Sequence, residues 1–327
     1  MKRRTLLSAS AALGGGLLLE KRAWSAEANQ GKALVAITLD LEMARNFPRW
    51  EDTHWDYEKG NLSEAVKGYA SEAARRVKAH GGLMHFFLVG RALEQDNVDW
   101  LKEIIAAGHS VGNHTYDHVN VKARKPAEIQ FRFQRAPWLI EGHEASAVIR
   151  ENIRLASAAM QSRLGIAPRG FRTPGGFANG LTDSPALQKM LLDLGFSWVS
   201  SKYPAHPNSK AGNAPDATVI AGILKTQEMA QPFRYPSGLI EVPMAPISDV
   251  GAFRNGRWKL ESFLQVTKAS LEHCIQNRLC FDFLSHPSVL GVMDPEFRAI
   301  EMICETVKAA GDAAELVTLD AFAARVA

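Results

Sequence analysis

Short apolar runs alternate along the chain with longer segments in which apolar residues recur every three or four positions. The short runs predict buried strands, and the longer segments predict amphipathic helices. The predicted strands are residues 34–41, 84–89, 110–113, 170–173, 197–200, 240–244, 280–285 and 316–318. The predicted helices are residues 62–80, 98–107, 147–164, 184–194, 260–277 and 295–310. This alternation predicts an α/β fold in which βα units surround a parallel sheet or barrel.

Two long segments interrupt the alternation. Residues 43–60 separate the first strand from the first helix and contain four aromatic residues, and residues 202–246 contain seven of the fifteen prolines. Long irregular segments of a compact domain are usually lids or binding loops, so we predict that role for both. The aromatic residues of 43–60 either stack on a sugar ring or fix the loop to the barrel; they are Phe47, Trp50, Trp55 and Tyr57.

Composition and charge narrow the class of protein. Of the 327 residues, 46% are hydrophobic and 22% are charged, which excludes a chain that is disordered throughout. The formal net charge is +3, and residues 1–28 account for it because they hold five basic and two acidic side chains. The rest of the chain is neutral, so we expect neither nucleic acid nor an anionic membrane as a partner.

Residues 1–28 have the pattern of an export signal. Basic residues 2–4 precede a largely apolar run at 6–19, which is too short to cross a bilayer. Ala26 and Ala28 supply the small residues that a signal peptidase requires. The pair of arginines in 2–4 predicts the twin-arginine export route, with an ordinary secretory leader as the alternative.

The remainder, residues 29–327, is predicted to be one domain that is exported to the periplasm or the cell exterior and is not inserted into a membrane after signal cleavage. Its three cysteines, Cys274, Cys280 and Cys304, are too few for a disulfide scaffold, and an odd number cannot pair fully. We expect them to be buried and unpaired.

Two histidines, His114 and His118, lie four positions apart. On a helical turn both imidazoles would share one face and reach the same metal ion, whereas a surface pair is the alternative interpretation. The preceding residues, 108–113, predict a short buried strand that brings His114 to the end of a sheet.

Two carboxylates, Asp40 and Glu42, end the apolar strand that contains residues 35–39. Residues two apart project from the same face of a strand, and buried carboxylates are costly unless they are paired or bind a metal. At the carboxyl end of a barrel strand this pattern predicts a functional site, with a solvated strand end as the alternative.

Three further positions are candidates for chemistry. Arg172 lies where a strand turns sharply through proline and glycine, and there it can orient a carboxylate. His286 ends the apolar run 280–285 and is either a satisfied core residue or a catalytic acid. Residues 249–259, which include Arg254, Arg257 and Trp258, either help to bind substrate or form a solvated loop.

In order and spacing these clusters resemble the motifs of the polysaccharide deacetylase family with NodB homology, the type of carbohydrate esterase family 4. The resemblance runs from about residue 34 to residue 286, and residues 108–118 are similar to the family's metal-binding motif almost throughout. It implies a distorted (β/α) barrel, commonly of seven strands. Segments 172–175 and 284–287 are similar to the third and last motifs.

The resemblance also implies roles for individual residues. Glu42, His114 and His118 would hold a divalent metal, zinc being the expected one. Asp40 would act as general base with Arg172 orienting it, and His286 would protonate the leaving amine. The backbone N–H of Gly175 would help to stabilise the oxyanion.

The sequence departs from the family pattern in three places. Leu41 separates the two carboxylates, and glutamate replaces the usual second aspartate, which makes this an Asp-x-Glu variant. Gly175 stands where the family often has an aromatic residue. No aspartate occupies the usual position for orienting the catalytic histidine, and either Asp249 or Asp282 would have to substitute.

Three functions are consistent with these residues. The first is a metal-dependent hydrolase that removes N-acetyl or O-acetyl groups from a cell-envelope or extracellular polysaccharide by attack of a metal-bound water. The second is a hydrolase of small cyclic amides of the allantoinase or imidase type. The third is a glycan-binding protein without activity, but binding alone does not require an acid–base pair.

Overall fold

Parallel strands dominate the computed structural model, which describes residues 31–45, 47 and 59–327. The predicted export signal and most of residues 43–60 lie outside the described residues. Within the described part, nine strands form one sheet: β1 (Ala33–Leu41), β2 (Met84–Leu88), β3 (Ser110–Asn113), β4 (Gly170–Phe177), β5 (Trp198–Lys202), β6 (Phe233–Arg234), β7 (Ile240–Glu241), β8 (Cys280–Ser285) and β9 (Ala314–Leu316).

The sheet has the order β6-β7-β5-β4-β3-β2-β1-β8, and β9 pairs with the start of β1. Only the β6–β7 pairing is antiparallel among the described strands. After β7, the backbone N–H of Ala245 donates to the carbonyl of Asp282 on β8 at 3.3 Å, so the two ends of the sheet approach each other. The predicted distorted barrel is confirmed, although the sheet has nine strands rather than seven. Its short extra members are β6 and β9.

Helices connect the strands as predicted. The longer ones are α1 (Glu64–Ala79), α2 (Asp99–Ala106), α3 (Ala145–Leu164), α4 (Pro185–Asp193), α5 (Ala217–Met229), α6 (Leu260–Gln276), α7 (Pro287–Met293), α8 (Arg298–Ala310) and α9 (Leu319–Ala324). Local caps set their ends: the Ser63 side chain accepts from the first turn of α1, and Gly165 ends α3 in the left-handed region with φ 71°. Shorter helical segments are Gly90–Glu94, Pro126–Ile129, Phe131–Arg135, Pro137–Ile140, Val250–Asn255 and Gly311–Ala313.

Residues 202–246 do not interrupt the alternation as predicted, because the helix α5 lies inside them. Asp216 caps this helix by accepting from the backbone N–H of Val219 at 2.9 Å. The prolines stand outside the helix, Pro215 before it and Pro232 after it. They therefore flank a regular element instead of marking an irregular segment.

The core lies where β1 is enclosed on both sides. Every residue of β1 except Leu34 is buried, because β2 and β8 pair with it in parallel. The three cysteines are buried and unpaired, which confirms that prediction. Among the helices of the described residues, none combines the length and the apolar character that crossing a membrane requires.

Candidate active site

The two histidines of the predicted metal motif lie in a loop after β3. Thr115 and His118 adopt left-handed backbone angles, with φ of 61° and 56°, so the predicted helical turn is wrong. Side chains of the loop accept the hydrogen bonds that a helix would satisfy with its backbone carbonyls. Asn113 Oδ1 accepts from the N–H of Thr115 at 2.8 Å, and Thr115 Oγ1 accepts from the N–H of Val119 at 3.1 Å. The loop still brings the rings of His114 and His118 together, with centroids 5.1 Å apart.

Asp40 and Glu42 are both buried at the carboxyl end of β1, with 4% and 3% of their surface exposed. The alternative of a solvated strand end is therefore wrong. The chain turns immediately after the strand, where the N–H of Glu42 donates to the carbonyl of Asp40 at 3.0 Å.

One oxygen of Glu42 faces both histidines. Glu42 Oε2 lies 2.5 Å from His118 Nε2 and 3.6 Å from His114 Nε2. It is buried, yet no donor of the described residues meets it with hydrogen-bond geometry. One ligand atom from each of the three residues lies within 4.8 Å of the others.

The protonation of the histidines suits a metal site. His114 Nδ1–H donates to the carbonyl of Arg172 at 2.9 Å, which leaves Nε2 facing Glu42. Burial lowers the pKa of His118 to about 4, so its imidazole is neutral at pH 7. A neutral imidazole, a second imidazole whose Nε2 faces Glu42, and a carboxylate with an unsatisfied oxygen fit a catalytic zinc ion.

Lys59 is a site residue that the sequence reasoning missed. Its ammonium group contacts Glu42 Oε1, and only 4% of its surface is exposed. The N–H of Met43 donates to the carbonyl of Lys59 at 2.9 Å and holds it beside the end of β1. Burial raises the pKa of Glu42, but the neighbouring His118 and the charge of Lys59 hold it well below its ordinary value. A single lysine in an irregular segment carries no pattern that could have identified it.

Asp40 is held by a fully buried arginine. Arg172 Nη1 donates to Asp40 Oδ1 at 2.9 Å, and its Nη2 donates to Asp282 Oδ2 at 2.5 Å. The guanidinium also lies over the ring of Phe87, 4.2 Å from its centroid. The second oxygen of Asp40 faces the site, 3.7 Å from His114 Nε2.

His286 is oriented by Asp249, so the structure decides between the two aspartates that the sequence left open. Asp249 Oδ1 accepts from His286 Nδ1 at 3.0 Å, and Oδ2 accepts from the backbone N–H of His286 at 2.6 Å. Asp282 instead contacts Arg172, and burial raises its pKa to about 6. Burial lowers the pKa of His286, but the charge and hydrogen bond of Asp249 raise it more, and the net shift is upward.

These side chains line one cavity of about 350 Å³. His286 Nε2 faces it, 4.0 Å from Asp40 Oδ2, and exposed Gly175 lies on its wall. Arg172 stands behind Asp40 and is completely buried. The resemblance gives a role to six residues besides Arg172, and all six line the cavity: Asp40, Glu42, His114, His118, Gly175 and His286.

Residues 249–259 and 43–60, for which the sequence left two roles open, contribute unequally to the cavity. Val250–Asn255 form a π-helix from which Arg254 reaches the cavity, whereas Arg257 is exposed and Trp258 packs in the core. Of the aromatic residues in 43–60, Phe47 packs against the core, and the other three lie outside the described residues.

A family model described as polysaccharide deacetylase matches residues 56–191. The resemblance to the polysaccharide deacetylase family with NodB homology is therefore confirmed. The matched residues include both histidines and Arg172 but neither Asp40, Glu42 nor His286. The fold brings Asp40 and Glu42 next to His114, and it brings His286 next to Asp40.

Solved structures share the fold of this chain. One is that of a probable polysaccharide deacetylase from Pseudomonas aeruginosa PAO1, with 14% identity, a TM-score of 0.59 and coverage of 89% of this chain and 90% of the other. Another is the Puue allantoinase, with 14% identity, a TM-score of 0.62 and coverage of 90% and 91%. None of the curated protein sequences matches this chain.

Proposed function

We propose that the protein is a metal-dependent hydrolase that removes N-acetyl, or less readily O-acetyl, groups from a polysaccharide of the cell envelope or the cell exterior. The observation that carries the proposal is that the unsatisfied Glu42 Oε2, two imidazole nitrogens, an arginine-held carboxylate and an aspartate-held imidazole face one cavity. A glycan-binding protein would have no use for the last two groups. Export is supported by the signal pattern of residues 1–28.

In this proposal Glu42, His114 and His118 hold the divalent ion, with zinc as the metal that suits the ligand set. A bound divalent ion supplies Lewis acidity, polarising the acetyl carbonyl and lowering the pKa of water. Asp40 Oδ2 takes the proton of the attacking water, because Arg172 holds the other oxygen and fixes the direction of the carboxylate.

The remaining two groups act on the substrate. His286 Nε2 donates its proton to the leaving nitrogen as the C–N bond breaks, and Asp249 holds the ring by its other nitrogen. The backbone N–H of Gly175 stabilises the negative charge on the acetyl oxygen. Gly175 adopts φ 72°, and its carbonyl accepts from the Thr173 hydroxyl at 2.6 Å, which fixes this turn at the cavity wall.

A second candidate is the hydrolysis of small cyclic amides. The cavity volume of about 350 Å³ is at the low end of the range for ligand sites, which suits a small ring as well as one sugar unit. A solved structure with the same fold is named an allantoinase. The same carboxylates and histidines would act, with ring opening in place of acetate release.

The deciding experiment measures acetate release by the mature protein with zinc and after chelation. The substrates are peptidoglycan, chitin oligomers, acetylxylan and cyclic imides. His114→Ala removes one proposed ligand, and His143→Ala is the matched control because His143 is exposed and does not line the site. We expect zinc-dependent acetate release from a glycan by the parent protein and His143→Ala but not by His114→Ala.

Two results would contradict this expectation. Ring opening of an imide without acetate release would favour the second candidate. Tight zinc binding with no turnover of any substrate would contradict both catalytic functions.

A further inference from the structure

A second cavity lies at the other end of the barrel from the proposed active site and holds about 310 Å³. His85, Ser110 and Gly170 line it near the amino ends of β2, β3 and β4, whereas the proposed active site lies at the carboxyl ends of the strands. Asp320, on α9, lines it as well, and 45% of its side-chain surface is exposed. A solute can therefore enter this cavity from solvent.

His85 is buried, yet neither of its ring nitrogens has a hydrogen-bond partner among the described residues. Aromatic neighbours hold the ring: it stacks on Phe87 with centroids 4.7 Å apart and meets the edge of Trp198 at 5.3 Å. Burial lowers the pKa of His85, so the imidazole is neutral at pH 7 and one nitrogen has a lone pair available. An unsatisfied buried imidazole is costly unless a ligand completes it.

The carboxylate of Asp320 faces the same imidazole. Its Oδ2 lies 3.8 Å from His85 Nδ1, which is too far for a hydrogen bond. Its Oδ1 accepts from Trp198 Nε1 at 2.9 Å, which fixes the direction of the carboxylate. The hydroxyls of Ser110 and Thr318 make only long hydrogen bonds to Oδ2, at 3.4 and 3.5 Å. This oxygen therefore keeps capacity for a ligand.

The separation of 3.8 Å indicates what fits between the two atoms. Elsewhere a histidine and a carboxylate bond directly, at 3.0 Å from His80 to Glu301 and 3.1 Å from His273 to Glu228. A water that bonds both atoms at about 2.8 Å and a tetrahedral angle would hold them about 4.6 Å apart. Two ligands of a tetrahedral zinc ion, each about 2.0–2.1 Å from it, lie about 3.4 Å apart. The observed separation is closer to the spacing of zinc ligands.

The charges around this cavity also suit a cation. Among the lining residues Asp320 supplies a carboxylate and Arg169 a guanidinium, but Arg169 is exposed, so solvent and salt screen its charge. Deeper in the barrel, Arg172 and Asp40 pair with each other at 2.9 Å and shift the pKa of His85 in opposite directions. The charge that acts at closest range on an ion beside His85 is therefore the negative charge of Asp320.

We propose that His85 Nδ1 and Asp320 Oδ2 bind a divalent transition-metal ion, at a site separate from the active site. The hydroxyl of Ser110 is a further oxygen within reach of the ion, and water completes the shell. The site has two side chains of the types that bind zinc, whereas three converge at the active site, so its affinity is the lower of the two. The ion joins α9 to β2.

The test uses zinc alone as the probe and His114→Ala as the starting protein, because that variant lacks one residue of the active-site group. Calorimetric titration should show one zinc ion bound per chain. Adding His85→Phe keeps an aromatic ring but removes the nitrogen, and adding Asp320→Asn keeps an acceptor for Trp198 but removes the charge. Each should weaken zinc binding at least about 10–100-fold, since changes outside the ligand shell already cost that much.

His273→Gln, added to the same starting protein, is the matched control. His273 belongs to a histidine–carboxylate pair that bonds directly at 3.1 Å, and it does not line this cavity. It should keep the zinc affinity of His114→Ala. Thermal unfolding without zinc verifies that each variant is folded, and Asp320→Asn decides if His85→Phe does not fold.

Three results of the titrations would overturn the inference: no zinc binding by His114→Ala, an affinity that stays at this level when His85→Phe or Asp320→Asn is added, or an equal loss in the His273→Gln control. Anomalous diffraction from zinc-soaked crystals gives an independent readout. We expect a peak between His85 Nδ1 and Asp320 Oδ2, and zinc peaks only at other positions would also overturn the inference. Acetate release does not enter any of these outcomes, so the proposed function fails or stands separately.

Discussion

Two buried glutamates make opposite use of the same side chain. Glu241, on β7, has no exposed surface, and both of its oxygens are saturated. Oε1 accepts from the N–H groups of Ser201 and Lys202 at 2.7 and 2.8 Å. Oε2 accepts from the hydroxyls of Ser201 and Tyr235 at 2.5 and 2.6 Å. This carboxylate joins β5 to the β6–β7 hairpin and has no capacity left for a ligand.

Glu42 is almost as buried, but only one of its oxygens has a hydrogen-bond partner, Lys59. The other oxygen is unsatisfied and faces two imidazoles. Burial of a carboxylate therefore does not identify a functional site, because a saturated carboxylate is structural. The unsatisfied oxygen identifies it, since leaving such an atom buried is costly unless a ligand completes it.

The largest expected effect is the loss of activity on substitution of Asp40, which like Glu42 is a buried carboxylate that faces the cavity. Asp40→Asn keeps the shape and an acceptor for Arg172 but removes the proton acceptor. We expect kcat to fall about 10²–10⁴-fold, the contribution typical of a general base. Steady-state acetate release measures it, and zinc content by elemental analysis should stay at the parent level. Loss of zinc instead would mean that Asp40 is a ligand.

On the structural side, Glu241→Leu should lower the free energy of unfolding by about 3 kcal/mol or more. It leaves two N–H groups and two hydroxyls without their acceptor, and each of these groups that is buried costs about 1–3 kcal/mol. Urea denaturation measures the change.

The matched control for that variant is Glu315→Leu, an exposed glutamate on β9, for which we expect a change of about 0.5 kcal/mol or less. Equal effects of the two substitutions would mean that saturation of Glu241 contributes nothing to stability.

A smaller effect is expected on the affinity for zinc in Glu42→Gln. The amide oxygen can still accept from Lys59, but the group that faces His118 loses its charge. Changes outside the ligand shell cost about 10–100-fold in metal affinity, so weakening a direct ligand should cost at least that. Competition with a chromogenic chelator measures it. Glu241→Gln serves as control and should bind zinc as the parent does; equal affinities in all three proteins would remove Glu42 from the ligand set.

Patterns along the chain predict most of the strands and several of the site residues. β3 and β8 have the predicted bounds, because short apolar runs between glycines or charged residues leave little freedom. Asp40 and His286 are conspicuous because they end apolar strands. α5 was missed because proline density concealed a helix that begins after Pro215.

Contacts between distant segments are what the patterns could not give. The pairing of His286 with Asp249 joins residues 37 positions apart, and Lys59 reaches Glu42 from an irregular loop. The saturation of Glu241 depends on Ser201 and on Tyr235 together. Such contacts depend on how strands meet in three dimensions, and no periodicity along the chain encodes them.

The smallest expected effect is a pH dependence of the free energy of unfolding that arises from the titration of Glu241. Burial raises the pKa of Glu241 above its ordinary value of 4.5, although four donors oppose the shift. Between 4.5 and the raised value the folded state binds more protons than the unfolded state, so this group makes the free energy of unfolding fall as pH rises. Glu241→Gln lacks the titration. The stability advantage of the parent over this variant should therefore be greatest below pH 4.5 and shrink above it, by about 1.4 kcal/mol per pH unit of pKa shift. Urea unfolding of both proteins from pH 4 to 8 measures the difference. An advantage that grows with pH would mean that the four donors, and not burial, dominate at Glu241.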